Sequence, residues 1–206
     1  MNMVAKPRKP LSRDFYSRDP REVSLDLLGK VLVRRQHRRL LTARIVEVEA
    51  YLGQDDPAAH SACGLTSRNA VLFGPPGRSY VYFIYGNHYC FNVSCLPEGK
   101  AGGVLFRAVE PLAGIEAMAE ARGVSLNGTG DLRKLTSGPG RLTQAFGITR
   151  ERDNGKDLTG IQSDLFILDD GFRPSRVKLT PRIGITKAPD HPLRYVITDN
   201  KFVSRR

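Results

Sequence analysis

In Leu41-Thr42-Ala43-Arg44-Ile45-Val46-Glu47-Val48-Glu49-Ala50-Tyr51, apolar and β-branched residues run on with neither glycine nor proline among them. Such a run reads as a β-strand. Side chains on a strand alternate between faces, so Arg44, Val46, Val48 and Ala50 share one, and Ile45, Glu47, Glu49 and Tyr51 the other. Two carboxylates and a tyrosine are thereby gathered on one side. On the strand alone the ordinary reading is a solvated sheet face. The next segment shifts it. Leu52–Pro76 is long, rich in Gly, Asp, Ser and Pro, and contains His60. Loops of this length inside a compact domain are usually functional, and sites are built where strands end.

Working outward, Arg21–Lys30 reads as a helix that stops near Gly29, followed by a strand over Val31–Arg35 and a basic connection over Gln36–Leu40. Downstream, Tyr80–Tyr85 and Tyr89–Cys95 form a hairpin with its turn at Gly86-Asn87. Val104–Val109 is a further strand. Pro111 marks a helix start and Gly123 a helix end around Leu112, Ile115 and Met118. Residues 123–135 are Gly-rich and polar, and Ser137–Phe146 is a short helix. Leu165–Leu168, Val177–Leu179, Arg182–Thr186 and Arg194–Thr198 are short strands. Without a strict βαβ rhythm, the order predicts an α+β fold: one domain over 1–206, a curved, mostly antiparallel sheet with flanking helices and a protruding hairpin. Residues 1–13, basic and holding Pro7 and Pro10, read as a flexible arm.

The formal net charge is +11, and a strongly basic balance points to a polyanion, most simply nucleic acid. It is concentrated at the ends: net +7 over residues 1–40, net +7 over 172–206, and net −3 between them. Basic flanks would grip phosphates while the centre does something else. Three cysteines without a C-x-x-C argue against a disulfide framework. The basic start leads into no apolar stretch, and no run of about 18 apolar residues occurs, so neither a signal peptide nor a membrane span is expected. The expected setting is intracellular. His60 and Cys63 have metal-ligand spacing, but Cys90 and Cys95, five apart on one strand, would point to opposite faces and close no tetrahedron with His88. No metal and no cofactor is expected. Ser137-Gly138-Pro139-Gly140 suits a helix start able to meet a phosphate, or a plain loop-to-helix junction.

Taken in order, Glu47-Val48-Glu49-Ala50-Tyr51, Asp55-Asp56, Ala59-His60-Ser61, Ser67-Arg68-Asn69, Tyr80-Val81-Tyr82-Phe83-Ile84-Tyr85-Gly86 and Asn92-Val93-Ser94 resemble the alkyladenine (3-methyladenine) DNA glycosylase family, of the mammalian alkyladenine type. Val104-Leu105-Phe106-Arg107-Ala108-Val109-Glu110-Pro111, Ser137-Gly138-Pro139 and Pro181-Arg182-Ile183-Gly184-Ile185 continue the likeness, which covers roughly residues 15–200. The resemblance implies a base-excision-repair enzyme on double-stranded DNA, acting as a monomer. It implies Glu49 as the general base for a water attacking the sugar, with Arg107 and the Ile183 carbonyl holding that water. Tyr51, His60, Tyr82 and Ala58 would line the pocket for a flipped purine. Asn92 would disfavour the exocyclic amine of guanine. Tyr85 would wedge into the duplex.

The chemistry is coherent. A glycosidic bond inside the stack is out of reach, so the base must be flipped, at a cost of a few kcal/mol. A stacked aromatic offsets roughly 1–3 kcal/mol of it. Aromatic walls suit a flat, cationic alkylated purine. Glu47, which a two-carboxylate glycosidase would use, is expected to tune or support. No lysine stands beside Glu49 in the strand, so a lyase step is not expected. The competing readings are a non-catalytic nucleic-acid-binding module of the same fold, and a hydrolase of nucleosides or small glycosides, against which the basic flanks argue.

Overall fold

The computed structural model describes residues 9–36, 39–126 and 132–204. In chain order the elements are α1 (Arg13–Tyr16), α2 (Pro20–Leu27), β1 (Val31–Gln36), β2 (Arg39–Tyr51), α3 (Ala70–Phe73), β3 (Ser79–Ile84), β4 (His88–Ser94) and β5 (Gly103–Ala113). There follow α4 (Ile115–Arg122), α5 (Leu132–Thr136), α6 (Pro139–Ala145), α7 (Arg150–Asp153), β6 (Leu165–Leu168), β7 (Val177–Thr180) and β8 (Arg194–Ile197). The strands form a single antiparallel sheet in the order β3-β4-β5-β2-β1-β6, with β8 joining β2 and β7 joining β8. The α+β architecture expected from the sequence is the one observed.

β2 is the spine. One edge pairs with β5 along residues 42–51; the other pairs with β1 over residues 39–44 and then with β8 over 47–49. With α2 packed on β2, and Ile183 and Ser204 against the glutamates, residues 45–50 keep no solvated face. Ile45, Val46, Glu47, Val48, Glu49 and Ala50 are all fully buried. The ordinary reading of the two glutamates as a wet sheet surface is thus overturned. Ile45 joins Val46 and Val48 in the main apolar cluster, where Phe91 and Phe106 stack at 4.6 Å.

Helix α2 starts as its sequence dictates: Asp19 caps the Arg21 amide at 2.8 Å, and Pro20 takes the first turn. It packs on β2. Against expectation, Pro111 lies inside β5, not at a helix start. It pairs with Ala43 where the β2–β5 register slips, a place where a residue without an N–H costs the ladder little. The helix begins only after Gly114, whose φ of +77° turns the chain. Arg182–Thr186 is likewise no strand; residues 181–193 hold neither helix nor strand. Within the polar stretch 123–135, Leu132 opens α5; residues 127–131 lie outside the described residues, as do 1–8 of the expected arm. From Pro10, which bridges to Leu168, the chain is docked. Leu11 donates to the Ile167 carbonyl at 2.8 Å, and Arg13 pairs with Asp157 at 2.6 Å.

Candidate active site

A transverse row of the sheet assembles the site. Cα partners across a ladder share a face. Tyr80 on β3 stands opposite Asn92 on β4, Asn92 opposite Leu105 on β5, Leu105 opposite Glu49 on β2, and Glu49 opposite Arg194 on β8. Neighbours in this row lie from 12 positions apart (Tyr80 and Asn92) to 145 (Glu49 and Arg194). Arg107 is placed by an irregularity. Glu47 pairs with Ala108 and Val48 with Phe106, so Arg107 is skipped. Such bulges re-aim a side chain. The Arg107 carbonyl accepts from the Gly138 amide at 3.0 Å, which ties the bulge to the loop entering α6.

The two glutamates, indistinguishable by strand alternation, are separated by their partners. Glu47 is locked. It accepts from Arg107 Nε at 3.0 Å, Arg194 Nε at 2.7 Å, the Ser204 amide at 2.6 Å and Ser204 Oγ at 2.8 Å. Glu49 is held more sparingly. Its Oε1 accepts the Ile183 amide at 2.8 Å and faces Arg107 Nη1 at 3.2 Å, and its Oε2 accepts the Tyr51 hydroxyl at 3.1 Å. The bond from Ile183 therefore runs through its amide, whereas the resemblance implies a role for its carbonyl.

In front of the glutamates opens a cleft of about 460 Å³. Tyr51, Ala58, His60, Tyr82, Asn92, Arg107 and Ile183 all line it, with Tyr85 at its rim. Glu49 has no exposure and lies directly behind Tyr51, Arg107 and Ile183. The wall is aromatic: His60 meets Tyr82 at 4.5 Å between centroids, and Tyr80 meets Tyr82 at 5.4 Å. Tyr80, without an assigned role in the sequence reading, fixes the His60 ring by a 2.9 Å bond between its hydroxyl and Nδ1. Burial, and then Arg68 nearby, hold the His60 pKa below its ordinary value, so the ring is neutral near pH 7. Asn69 braces the loop by donating to the carbonyls of His60 and Gly64 at 2.9 and 2.8 Å. Asn92 donates to the Tyr80 carbonyl at 3.1 Å.

The hairpin departs from its expected form at the tip. Ile84 pairs with His88, so the turn has three residues, and Tyr85 is its first and not the last of the strand. Tyr85 adopts φ +55° and is 81% exposed. A large residue in the left-handed region costs of order 1 kcal/mol or more, and such outliers cluster at functional positions. Directly after the turn, His88 lies against Gly140, where a Cβ would come within 2.8 Å of its ring. That packing joins the hairpin to α6, and it explains why a glycine stands there. Among the described residues no group of three His, Cys, Asp or Glu could hold a metal ion. None of their helices is long and apolar enough to cross a membrane.

Electrostatics separate the two sides of Glu49. Burial pushes its carboxyl above the ordinary 4.5; Arg107, the Ile183 amide and the Tyr51 hydroxyl pull it down, and Glu47 adds to the rise. A general base works only when ionised. For Glu49 in the general-base role that the resemblance implies, the acid limb of kcat/KM is therefore expected above the ordinary glutamate range, with activity gained as pH rises through it. Tyr51→Phe removes one donor to the carboxylate and should move that limb further alkaline. A pH–rate profile whose limb stays put would show that the hydroxyl does not tune Glu49.

A buried acid thus sits beside an arginine, behind an aromatic cleft on a basic α+β scaffold. Residues 14–201 match the model of the methylpurine-DNA glycosylase (MPG) family, and the chain belongs to that family. It is 62% identical over 195 residues to a protein of Koribacter versatilis named "Putative 3-methyladenine DNA glycosylase", covering 95% of this chain and 93% of that one. Proteins of the same name from Burkholderia cenocepacia and Methanoculleus marisnigri are 47% and 48% identical, over 96% and 93% of this chain and 92% and 97% of theirs.

Proposed function

We propose that this glycosylase flips alkylated or deaminated purines, 3-methyladenine among them, out of duplex DNA and hydrolyses the N-glycosidic bond, leaving an abasic site. One observation carries the reading: Glu49, buried and paired with Arg107, stands behind an aromatic cleft large enough for a purine. In the proposed step the flipped base enters between Tyr51, His60 and Tyr82. A water held by Glu49 and Arg107 attacks C1′. Its oxygen bonds to the sugar carbon, its proton passes to Glu49, and the electron pair of the glycosidic bond leaves with the base. A purine alkylated on a ring nitrogen is cationic and leaves as the neutral base, so one general base suffices; a deaminated purine is neutral and takes up a proton from solvent as it leaves. Tyr85 fills the vacated place in the duplex, and Asn92 sets which exocyclic groups fit. No cofactor enters the scheme, and no amine attacks the sugar, so the strand is left uncut. The enzyme would work as a monomer inside the cell, a setting that suits the exposed free thiol of Cys63.

Incubation of the protein with methylated duplex DNA tests the reading. Free 3-methyladenine should be released, with strands that break only after alkali. Binding without release of base would favour the non-catalytic module. Tyr85→Ala should weaken binding to an abasic-analogue duplex by roughly 5- to 150-fold, the equivalent of about 1–3 kcal/mol of lost stacking. Unchanged affinity would remove the tyrosine from the wedge role.

A further inference from the structure

We infer that Asp56 and Arg182 are positioning residues for Glu49: their buried ion pair fixes the backbone that carries the Ile183 amide and the ring that carries the Tyr51 hydroxyl. The inference rests on the glycosylase reading. The two side chains are almost completely buried. Arg182 Nη1 meets Asp56 Oδ2 at 2.6 Å, and Nη2 meets Oδ1 at 2.9 Å. Nη1 also donates to the Ala50 carbonyl at 3.1 Å, between Glu49 and Tyr51. The guanidinium lies 4.6 Å from the centre of the Tyr51 ring. On its other side, Asp56 accepts from the amides of Leu52 and Ala58 at 3.1 Å each. One carboxylate thus gathers the start of the loop after β2, and one guanidinium clamps that loop, the end of β2 and the residue before Ile183.

The segment that carries the Ile183 amide is irregular between two anchored ends. Residues 181–193 hold no helix or strand. Their far end is tied by the Ala50 amide to the Leu193 carbonyl at 2.8 Å. At the near end, Gly184 has φ +77° and nothing within 4 Å of where a Cβ would stand. Just before the segment, Thr180 is tied to β8 by its ladder pairing with Arg194 and by the 3.0 Å bond its hydroxyl accepts from Arg194 Nη1; beyond Thr180, Arg182 is the next anchor, directly beside the Ile183 amide. A buried ion pair adds little net stability over an apolar pair of equal volume, and Arg182 Nε lacks a hydrogen-bond partner. An apolar pair cannot reproduce the bidentate geometry.

The groups around Glu49 are Arg107 from β5, Glu47 and Tyr51 on its own strand, Cys90 from β4, Arg194 across the ladder on β8, and Arg182 with the Ile183 amide from the 181–193 segment. Loosening the clamp displaces two neutral donors; Arg182→Met also removes a cation that acts on Glu49, whereas Asp56→Asn keeps that cation and isolates the positioning effect. The measurements are single-turnover base release against pH, affinity for an abasic-analogue duplex, and thermal stability, for wild type, Arg182→Met and Asp56→Asn. Each variant should release base up to roughly 100-fold more slowly, the cost of a displaced group near reacting atoms. The acid limb should move alkaline while duplex affinity holds. A variant that melts earlier but keeps its rate and its acid limb would show a purely structural pair and overturn the inference. Should Arg182→Met not fold, Asp56→Asn, which keeps shape and one acceptor, decides by the same criteria. A wild-type protein that releases no base overturns the underlying reading, and is told apart because it precedes any comparison of variants.

Discussion

Glu49→Gln is expected to release methylated purines at least about 100-fold more slowly than wild type, and up to roughly 10,000-fold, the span a positioned general base contributes. The substitution is close to isosteric, and its hydrogen bonds survive it. The amide oxygen can keep the Ile183 amide and Arg107, while the new NH2 donates to a Tyr51 hydroxyl that has only to rotate. Fold and duplex affinity should therefore stay as they are. That separation is the content of the experiment, since a fall in rate with affinity kept locates the loss in the chemical step. Single-turnover release of 3-methyladenine, measured beside binding to an abasic-analogue duplex, gives both quantities. A variant that cleaves at the wild-type rate would take the base role away from Glu49.

Glu47→Ala should do the opposite kind of damage. The carboxylate is fully buried and compensates two guanidiniums, Arg107 and Arg194, that are themselves about nine-tenths out of water. Removing one partner of a buried ionic cluster leaves uncompensated charge and costs about 3–5 kcal/mol. For a chain of this size that corresponds to a Tm lower by roughly 6–20 °C. The Ser204 amide and hydroxyl would lose their acceptor as well, leaving Ser204 the bond that its carbonyl accepts from Arg194 Nη2 at 3.0 Å. Differential scanning calorimetry of Glu47→Ala and Glu47→Gln reads this directly, the second variant keeping an acceptor and losing less. A Glu47→Ala protein melting within about a degree of wild type would contradict the buried ionic cluster.

Period-two patterning located β2, β3 and β4, because those strands are long and their apolar residues regular. It could not say which glutamate acts. The partners that separate Glu47 from Glu49 are Arg194 and Ser204, 147 and 157 residues away, and ladder pairing over such distances leaves no local trace. Pro111 was misleading because a proline tolerated at a register slip looks, locally, like a helix start. The false strand over Arg182–Thr186 has alternation but is broken by the left-handed Gly184. Asp56 and Arg182 stand within the family motifs, yet their contact across 126 positions is visible only in three dimensions. Tyr85, by contrast, was legible: a tyrosine beside a glycine turn has little core to enter, and the structure leaves it in the open.

The lack of any solvent exposure at Glu49 reaches into the timing of the proposed cycle. A carboxylate on an open surface meets fresh solvent at every instant. One sealed behind Tyr51, Arg107 and Ile183 faces solvent, in the proposed cycle, through the cleft by which the base arrives and departs. The nucleophile must then be aboard before the door is filled, and a dry visit by a base is a wasted one. After cleavage, the freed purine blocks resupply until it leaves. Refilling the cleft with solvent and letting go of the product become one event, and turnover inherits the rate of the slower half.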